Sequence, residues 1–175
     1  MRTLDEILSN YKSNCLDGRD TYRLWKFIPW DVAKNYPDFL EDIKDKISTS
    51  FIAKNADYLY RTGRVSKFVK DACMTFRVHP VLGMKNGMMK LKSAYIGDYE
   101  KAVLRYARKE VRIAEKIDKK RVFITHAACS IKLISAVKKE ITKKCGFEQI
   151  IVSNASATIS SNCGADTIGV LWVRN

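Results

Sequence analysis

The sequence predicts an α/β fold: a mixed sheet with a β-hairpin and a right-handed βαβ crossover, helices packed on it, and a short helical segment ahead of it. Three observations carry this. An Asn86-Gly87 pair sits between two extended apolar runs, the strongest short-range hairpin signal available. Residues 122–125 and 149–152 are short apolar runs separated by a segment of helical period, which makes a crossover unit between strands. The apolar run Val170-Leu171-Trp172-Val173 adds a further strand close to the end.

In chain order, Thr3 and Glu6 form a capping box ahead of Leu4, Ile7, Leu8 and Tyr11, so a first helix should end near Asn14. Asp17-Gly18 marks a turn, and residues 24–30 are aromatic and apolar around Pro29. Pro37-Asp38 opens a second helix with Phe39, Leu40, Ile43 and Ile47 on one face. After a break at Ser48-Thr49-Ser50, residues 51–53 form a short strand. Asn55 then caps a helix that stops at Gly63, and Ser66 caps another reaching Phe76. The hairpin strands cover residues 78–85 and 88–95. Asp98 caps a long helix whose inner face is Ala102, Val103, Tyr106, Ala107, Glu110, Ile113, Ala114 and Ile117, with Lys119-Lys120 at its end. Beyond the strand at 122–125, a helix over residues 130–144 is closed by Gly146. The break at 48–50 divides the chain into a helical extension, 1–50, and an α/β domain, 51–175.

Composition sets the classes of function. With 175 residues and 46% hydrophobic content, the chain can bury one sizeable core. No window approaches the roughly 18 consecutive apolar residues of a spanning helix, and the start lacks an apolar secretory core, so a cytoplasmic location is expected. Cys15, Cys73, Cys129, Cys145 and Cys163 are odd in number and hold no C-x-x-C pair, which points to reduced thiols. His126 and Cys129 have a zinc-like spacing, but no second ligand pair follows, and neither metal nor cofactor is expected. Lys and Arg number 32 against 19 acidic residues, a net charge of +13. The basic residues recur on two helical segments between apolar positions, as on a solvated helix face.

The segment from Ala157 to Gly169 carries the chemistry. Ser160, Ser161, Asn162, Cys163 and Gly164 crowd what reads as a turn, where hydroxyls, an amide and glycine-exposed backbone N–H groups can converge on a carboxylate. The bland alternative is a turn whose hydroxyls satisfy their own backbone. Ligands in open α/β sheets bind beyond the carboxyl ends of the strands, so the loop at His126, after the crossover's first strand, is the second candidate to face the same site.

Four further motifs stand in order from about Phe51 onward: the run Asp57-Tyr58-Leu59-Tyr60-Arg61-Thr62-Gly63-Arg64-Val65-Ser66, then Val78-His79-Pro80-Val81-Leu82, then Phe123-Ile124-Thr125-His126-Ala127, and Asn162-Cys163-Gly164 with Thr167 and Gly169. In their order and spacing they resemble the DegV family, the fatty-acid-binding components of bacterial fatty acid kinase systems. The resemblance implies a non-catalytic protein that holds one acyl chain in an apolar tunnel and presents its carboxylate to a separate kinase subunit. It also implies that Asn162 stands where many members have a histidine near that carboxylate. Arg64 matches the arginine of the Gly-Arg signature, and His126 the polar residue of the strand-end loop. Two departures stand out. Gly164-Ala165-Asp166 replaces a common Gly-Pro-Gly and brings a carboxylate toward the ligand's own, and residues 1–50 hold no counterpart of the family's N-terminal domain. Weakened binding is the expectation, unless the cluster of Trp25, Phe27, Trp30, Tyr36 and Phe39 folds over the groove or two copies form a homodimer that covers it.

Two other classes compete. A nucleic-acid-binding domain is suggested by the charge and by Tyr95, Tyr99, Arg105, Tyr106 and Arg108, although recognised binding motifs are missing. An enzyme would use Cys163 as nucleophile and His126 as base.

Overall fold

A computed structural model describes residues 46–85, 88–112 and 117–174. The expected helices before residue 46, the aromatic segment at 24–30 and the Asn86-Gly87 turn itself lie outside the described residues. From Ser48 onward the chain forms one compact unit.

The elements are β1 (Ile47–Ala53), α1 (Asp57–Arg61), α2 (Lys67–Thr75), β2 (Val78–Lys85), β3 (Met88–Ile96), α3 (Tyr99–Glu110), β4 (Ile117–Ala127), α4 (Ile131–Lys144), β5 (Gln149–Asn154), α5 (Ala157–Cys163) and β6 (Thr167–Arg174). The six strands form one sheet in the order β3-β2-β1-β6-β4-β5. β1, β2 and β3 pair antiparallel, β4 and β5 pair parallel across the α4 crossover, and β6 returns antiparallel to β4. The fold is thus the expected mixed α/β sheet with helices packed on it.

Local chemistry explains most boundaries. Ser66, Asp98 and Ser130 each accept a backbone N–H two or three residues into the following helix, from Val69, Lys101 and Leu133. At the end of α1, Gly63 N–H donates to Tyr60 O and Arg64 N–H to Leu59 O, the paired bonds of a glycine-closed helix. Lys85 pairs with Met88, so two residues join the hairpin strands, and a register shift between Val81 and Leu82 bends them.

Five local expectations give way. Ile47 belongs to β1 rather than to a preceding helix. Asn55 is not the N-cap of α1. Ala56 holds that position, and the Asn55 amide oxygen instead accepts from Asp57 N–H at 3.2 Å in an Asx turn. The helix expected to run to Ile117 ends at Glu110, and Ile117 opens β4 opposite Arg174. Helical period continues in the sequence, but pairing with β6 captures Ile117, a tertiary contact overriding a local pattern. α4 is closed by an extended Cys145 instead of Gly146. Finally, the small polar segment at 157–163 is helix α5, capped by Ser156, and not a turn. Ser160 and Ser161 dilute the helical signal that this cap restores.

Strand alternation sends side chains to two faces. On one, α3 and α4 cover Ile52, Val81, Val122, Ile124, Ile168, Val170 and Trp172 in the main core. On the other, Ala53, Leu59 and Leu82 form a smaller cluster with Phe51, Val65 and Met89 beneath α1. Tyr106 of α3 is fully buried and clamps the seam between β1 and β6. Its hydroxyl donates to Ser50 O at 2.7 Å, lies 3.0 Å from Ser50 Oγ, and accepts from Val170 N–H at 3.0 Å. Burial, and then Glu110, pushes this hydroxyl far up, so it remains a donor.

Tyr106→Phe keeps the ring but strands two backbone groups of the seam, and should cost about 2–4 kcal/mol in denaturant unfolding with an unchanged slope. A loss below about 0.5 kcal/mol would show that the seam closes without this hydroxyl.

Candidate functional site

The residues singled out in the sequence fall into two groups. Arg64, Cys163 and Gly164 come together where α1 packs on α5. Gly164 has φ +82° and ψ 170°, a region essentially restricted to glycine, and the Tyr58 ring lies directly over it. A Cβ at this position would stand 2.3 Å from Tyr58 Cδ2. Cys163 is buried, and burial pushes its thiol up to about 11, with the nearby Arg64 charge opposing the shift. Arg64 itself is exposed and stands two residues before Ser66, the N-cap of α2.

The polar residues of α5 are largely engaged by their own helix. Asn162 Nδ2 donates to Thr158 O at 2.7 Å, and Ser161 Oγ donates to the same oxygen at 2.9 Å. Ser160 is half-buried, and its backbone carbonyl accepts the Gly164 N–H at 2.8 Å. Thr167 Oγ1 donates to Cys163 O at 3.0 Å, tying the end of α5 to β6.

His126 is adjacent along the sheet but turned the other way. It pairs with Ile168 of β6 and Asn154 of β5, so alternation directs its side chain to the face of Ile124 and Ile168, under α3 and α4. Its Nδ1 is buried with no hydrogen-bond partner among the described residues, and burial lowers its proton affinity. The expected bracket around one groove is therefore split by the sheet at its carboxyl edge.

Sequence reading missed the cluster that neutralises this edge. Lys54 Nζ lies 2.7 Å from Asp166 Oδ2 and 5.9 Å from the centre of the Tyr99 ring. Tyr99 OH donates to Asp166 O, and His79 meets the same ring edge-on at 5.1 Å. The two ring nitrogens of His79 stand 2.6 Å from Lys54 O and 2.9 Å from Gly97 O, so the imidazole bridges the ends of β1 and β3. Asp166 has φ +54°, a left-handed conformation that favours glycine and that aspartate tolerates better than most residues. These partners lie up to 112 residues apart, and only the aspartate carried a local signal.

Among the described residues, two depressions lie along the α2 side. One, of about 150 Å³, is lined only by apolar surface, with Val69, Ala72 and Cys73 of α2 facing Val78 and Pro80 of β2 and Leu91 of β3. The other, of about 290 Å³, adjoins Lys54, Arg77, His79 and Tyr99. None of Arg64, His126 or residues 160–164 lines either.

Neither competing class gains from this geometry. Tyr106 is fully buried, Tyr99 donates to Asp166, and Arg105 lies over Tyr95 at 5.3 Å, so the rings are occupied internally and not available to stacked bases. The raised thiol of Cys163 is the opposite of what a nucleophile needs. Among the described residues no group of three or more His, Cys, Asp or Glu could hold a metal, and no helix is long and apolar enough to cross a membrane.

The sequence profile of the DegV family, described as uncharacterised protein, matches residues 35–175. The chain belongs to the DegV family. Its fold is similar to three solved DegV-type structures. A DegV family protein from Eubacterium eligens loaded with heptadecanoic acid has a TM-score of 0.71 at 16% identity, covering 89% of this chain and 55% of that one. The Streptococcus pneumoniae fatty acid kinase B3 protein loaded with linoleic acid has a TM-score of 0.69 at 14% identity, with 99% and 57% covered. A fatty-acid-binding DegV family protein from Thermus thermophilus has a TM-score of 0.65 at 20% identity, with 90% and 55% covered. This DegV chain thus spans little more than half the length of the structures it resembles. No curated protein matches it.

Gly164→Ala should destabilise the protein by about 1–3 kcal/mol, and Tyr58→Ala in the same chain should recover only the steric part, leaving the backbone strain. Full recovery would mean that the ring alone requires glycine. Relative to an ordinary thiol at 9.0, Cys163 at about 11 carries about 100-fold less thiolate near neutral pH. Iodoacetamide labelling at this site, followed by peptide mapping, should slow by about that factor against protein in urea. Labelling at the unfolded rate would place the thiol in solvent.

Proposed function

We propose that this chain binds the acyl chain of a fatty acid and is not itself a catalyst. The observation that carries the reading is family membership over residues 35–175, together with a fold shared with proteins named for their heptadecanoic and linoleic acid cargo. Geometry supports it through the wholly apolar groove between α2 and the hairpin, on the sheet face that also carries Arg64 and α5. Phe68 and Leu91 stand exposed at its rim.

A groove of 150 Å³ has the volume of about five waters, so it takes only a few methylenes. Each methylene left in water forfeits about 0.8 kcal/mol, and tight binding of a long chain calls for a second surface, from another polypeptide or a second copy. In this reading the lipid-binding domain begins with β1, so the expected division at 50/51 gives way to one near Ile47, and Arg64 with Asn162 and its neighbours on α5 stands near the carboxylate. His126, on the opposite face, takes no part, and a separate kinase receives the presented acid.

Protein purified from bacteria should carry one fatty acid per chain by native mass spectrometry and organic extraction, and oleate or palmitate should raise the melting temperature of stripped protein. Ala72→Trp, which fills the groove, should reduce both effects while the fold persists by circular dichroism. Protein that is consistently empty and gains no thermal stability from either acid would overturn the reading.

A further inference from the structure

The surface on the far side of the sheet from the groove has a distinct chemistry. On α3, the residues turned away from buried Ala102, Val103, Tyr106 and Ala107 are Lys101, Arg105, Arg108 and Lys109. On α4, the residues opposite Leu133, Val137 and Ile141 are Lys132, Lys139 and Lys143. The two stripes adjoin, because Arg108 Nε meets Glu140 Oε2 at 2.7 Å across the helix pair.

Charge is concentrated here. α3 holds four basic and two acidic residues, and α4 five basic and one acidic. Their sum is therefore 9 − 3 = +6 in 26 residues, close to half of the +13 carried by all 175. Of the three carboxylates, Glu110 is buried and bound by Lys92 at 2.8 Å, and Glu140 is occupied by Arg108. Among the described residues, Lys101, Lys109, Lys132, Lys139 and Lys143 have no ion-pair partner.

We propose that the paired outer faces of α3 and α4 dock an acidic protein surface. Charge complementarity supplies the argument, and the other polyanions fit less well. Among the exposed large hydrophobics, only Ile131 belongs to these helices, so the face has no apolar stripe to enter a bilayer interface. Its tyrosines are turned inward, leaving no stacking platform for single-stranded nucleic acid. A flat array of lysines on rigid helices suits side-chain carboxylates, adding mainly to association rate and orientation. The inference is independent of what the groove binds.

The full chain tests it with three probes: poly-L-glutamate, a short DNA duplex and phosphatidylglycerol vesicles, each at low and high salt. Two variants of equal charge change are compared, Lys109→Glu/Lys139→Glu/Lys143→Glu on the face and Arg61→Glu/Lys67→Glu/Lys90→Glu away from it. All six side chains are free of contacts the fold needs among the described residues, and melting curves check that both variants fold. Polyglutamate binding should weaken about tenfold or more in the first variant and less than about threefold in the second, with salt weakening both. Equal losses in the two variants, no binding, or tighter binding to DNA or vesicles than to polyglutamate would overturn the proposal.

Discussion

A buried hydroxyl reinforces the seam at which the two halves of this sheet pair. The hairpin half, β3-β2-β1, and the crossover half, β6-β4-β5, meet only at the β1–β6 seam, and Tyr106 reaches into it from α3 to hold Ser50 O and Val170 N–H. Gly169 permits the approach, since a Cβ there would stand 2.9 Å from Ser50 O. An unpaired backbone group in such a place costs about 1–3 kcal/mol, comparable to the burial of a large side chain. α3 is thereby fixed over the main core, which leaves the opposite face to α1, α2 and α5 and so decides where the apolar groove can lie.

The same constraint separates the polar groups at the carboxyl edge. β4 and β6 run side by side to Ala127 and Thr167, which brings the His126 loop within reach of α5 in the chain's path. Alternation then divides what adjacency joins. Thr125 faces Ser153, with their hydroxyls 2.9 Å apart, on one side, while His126 points to the other. A site built on the groove face can therefore draw on Arg64 and α5, while the imidazole belongs to the α3–α4 side.

How far the sequence foretells this depends on the range of the interaction. Ser66, Asp98 and Ser130 cap helices because a side chain reaches three residues along the chain, and the alternating runs that become β2 and β3 pair as a hairpin, so these elements are legible locally. The end of α3 is not, because residues 99–117 keep one helical period and only the partner strand β6 draws Ile117 into the sheet. α5 hides behind serines that weaken helix propensity, and its start is betrayed by Ser156 alone. The family resemblance singles out Arg64 and Gly164 from the sequence. It could not show that Asn162 and Ser161 both donate to Thr158 O, since hydrogen-bond direction is a property of the folded helix.

Asp166 illustrates the point in electrostatic terms. From sequence it is a carboxylate placed where an anionic ligand group would come, and two like charges 4 Å apart repel by about 1 kcal/mol in water and about 4 kcal/mol at an effective dielectric of 20. In the fold Lys54 closes on it at 2.7 Å, from the end of β1, and both side chains are partly solvated, so the ion pair contributes little to stability. Its larger effect is on the field: the pair is a dipole rather than a charge, and its repulsion of an anion falls off faster with distance. The exposed Arg64 guanidinium adds a positive charge near Cys163, where it opposes the burial-driven rise of the thiol. The carboxylate of Gly164-Ala165-Asp166 is thus countered at this edge by a lysine 112 positions away, a pairing that the local sequence does not show.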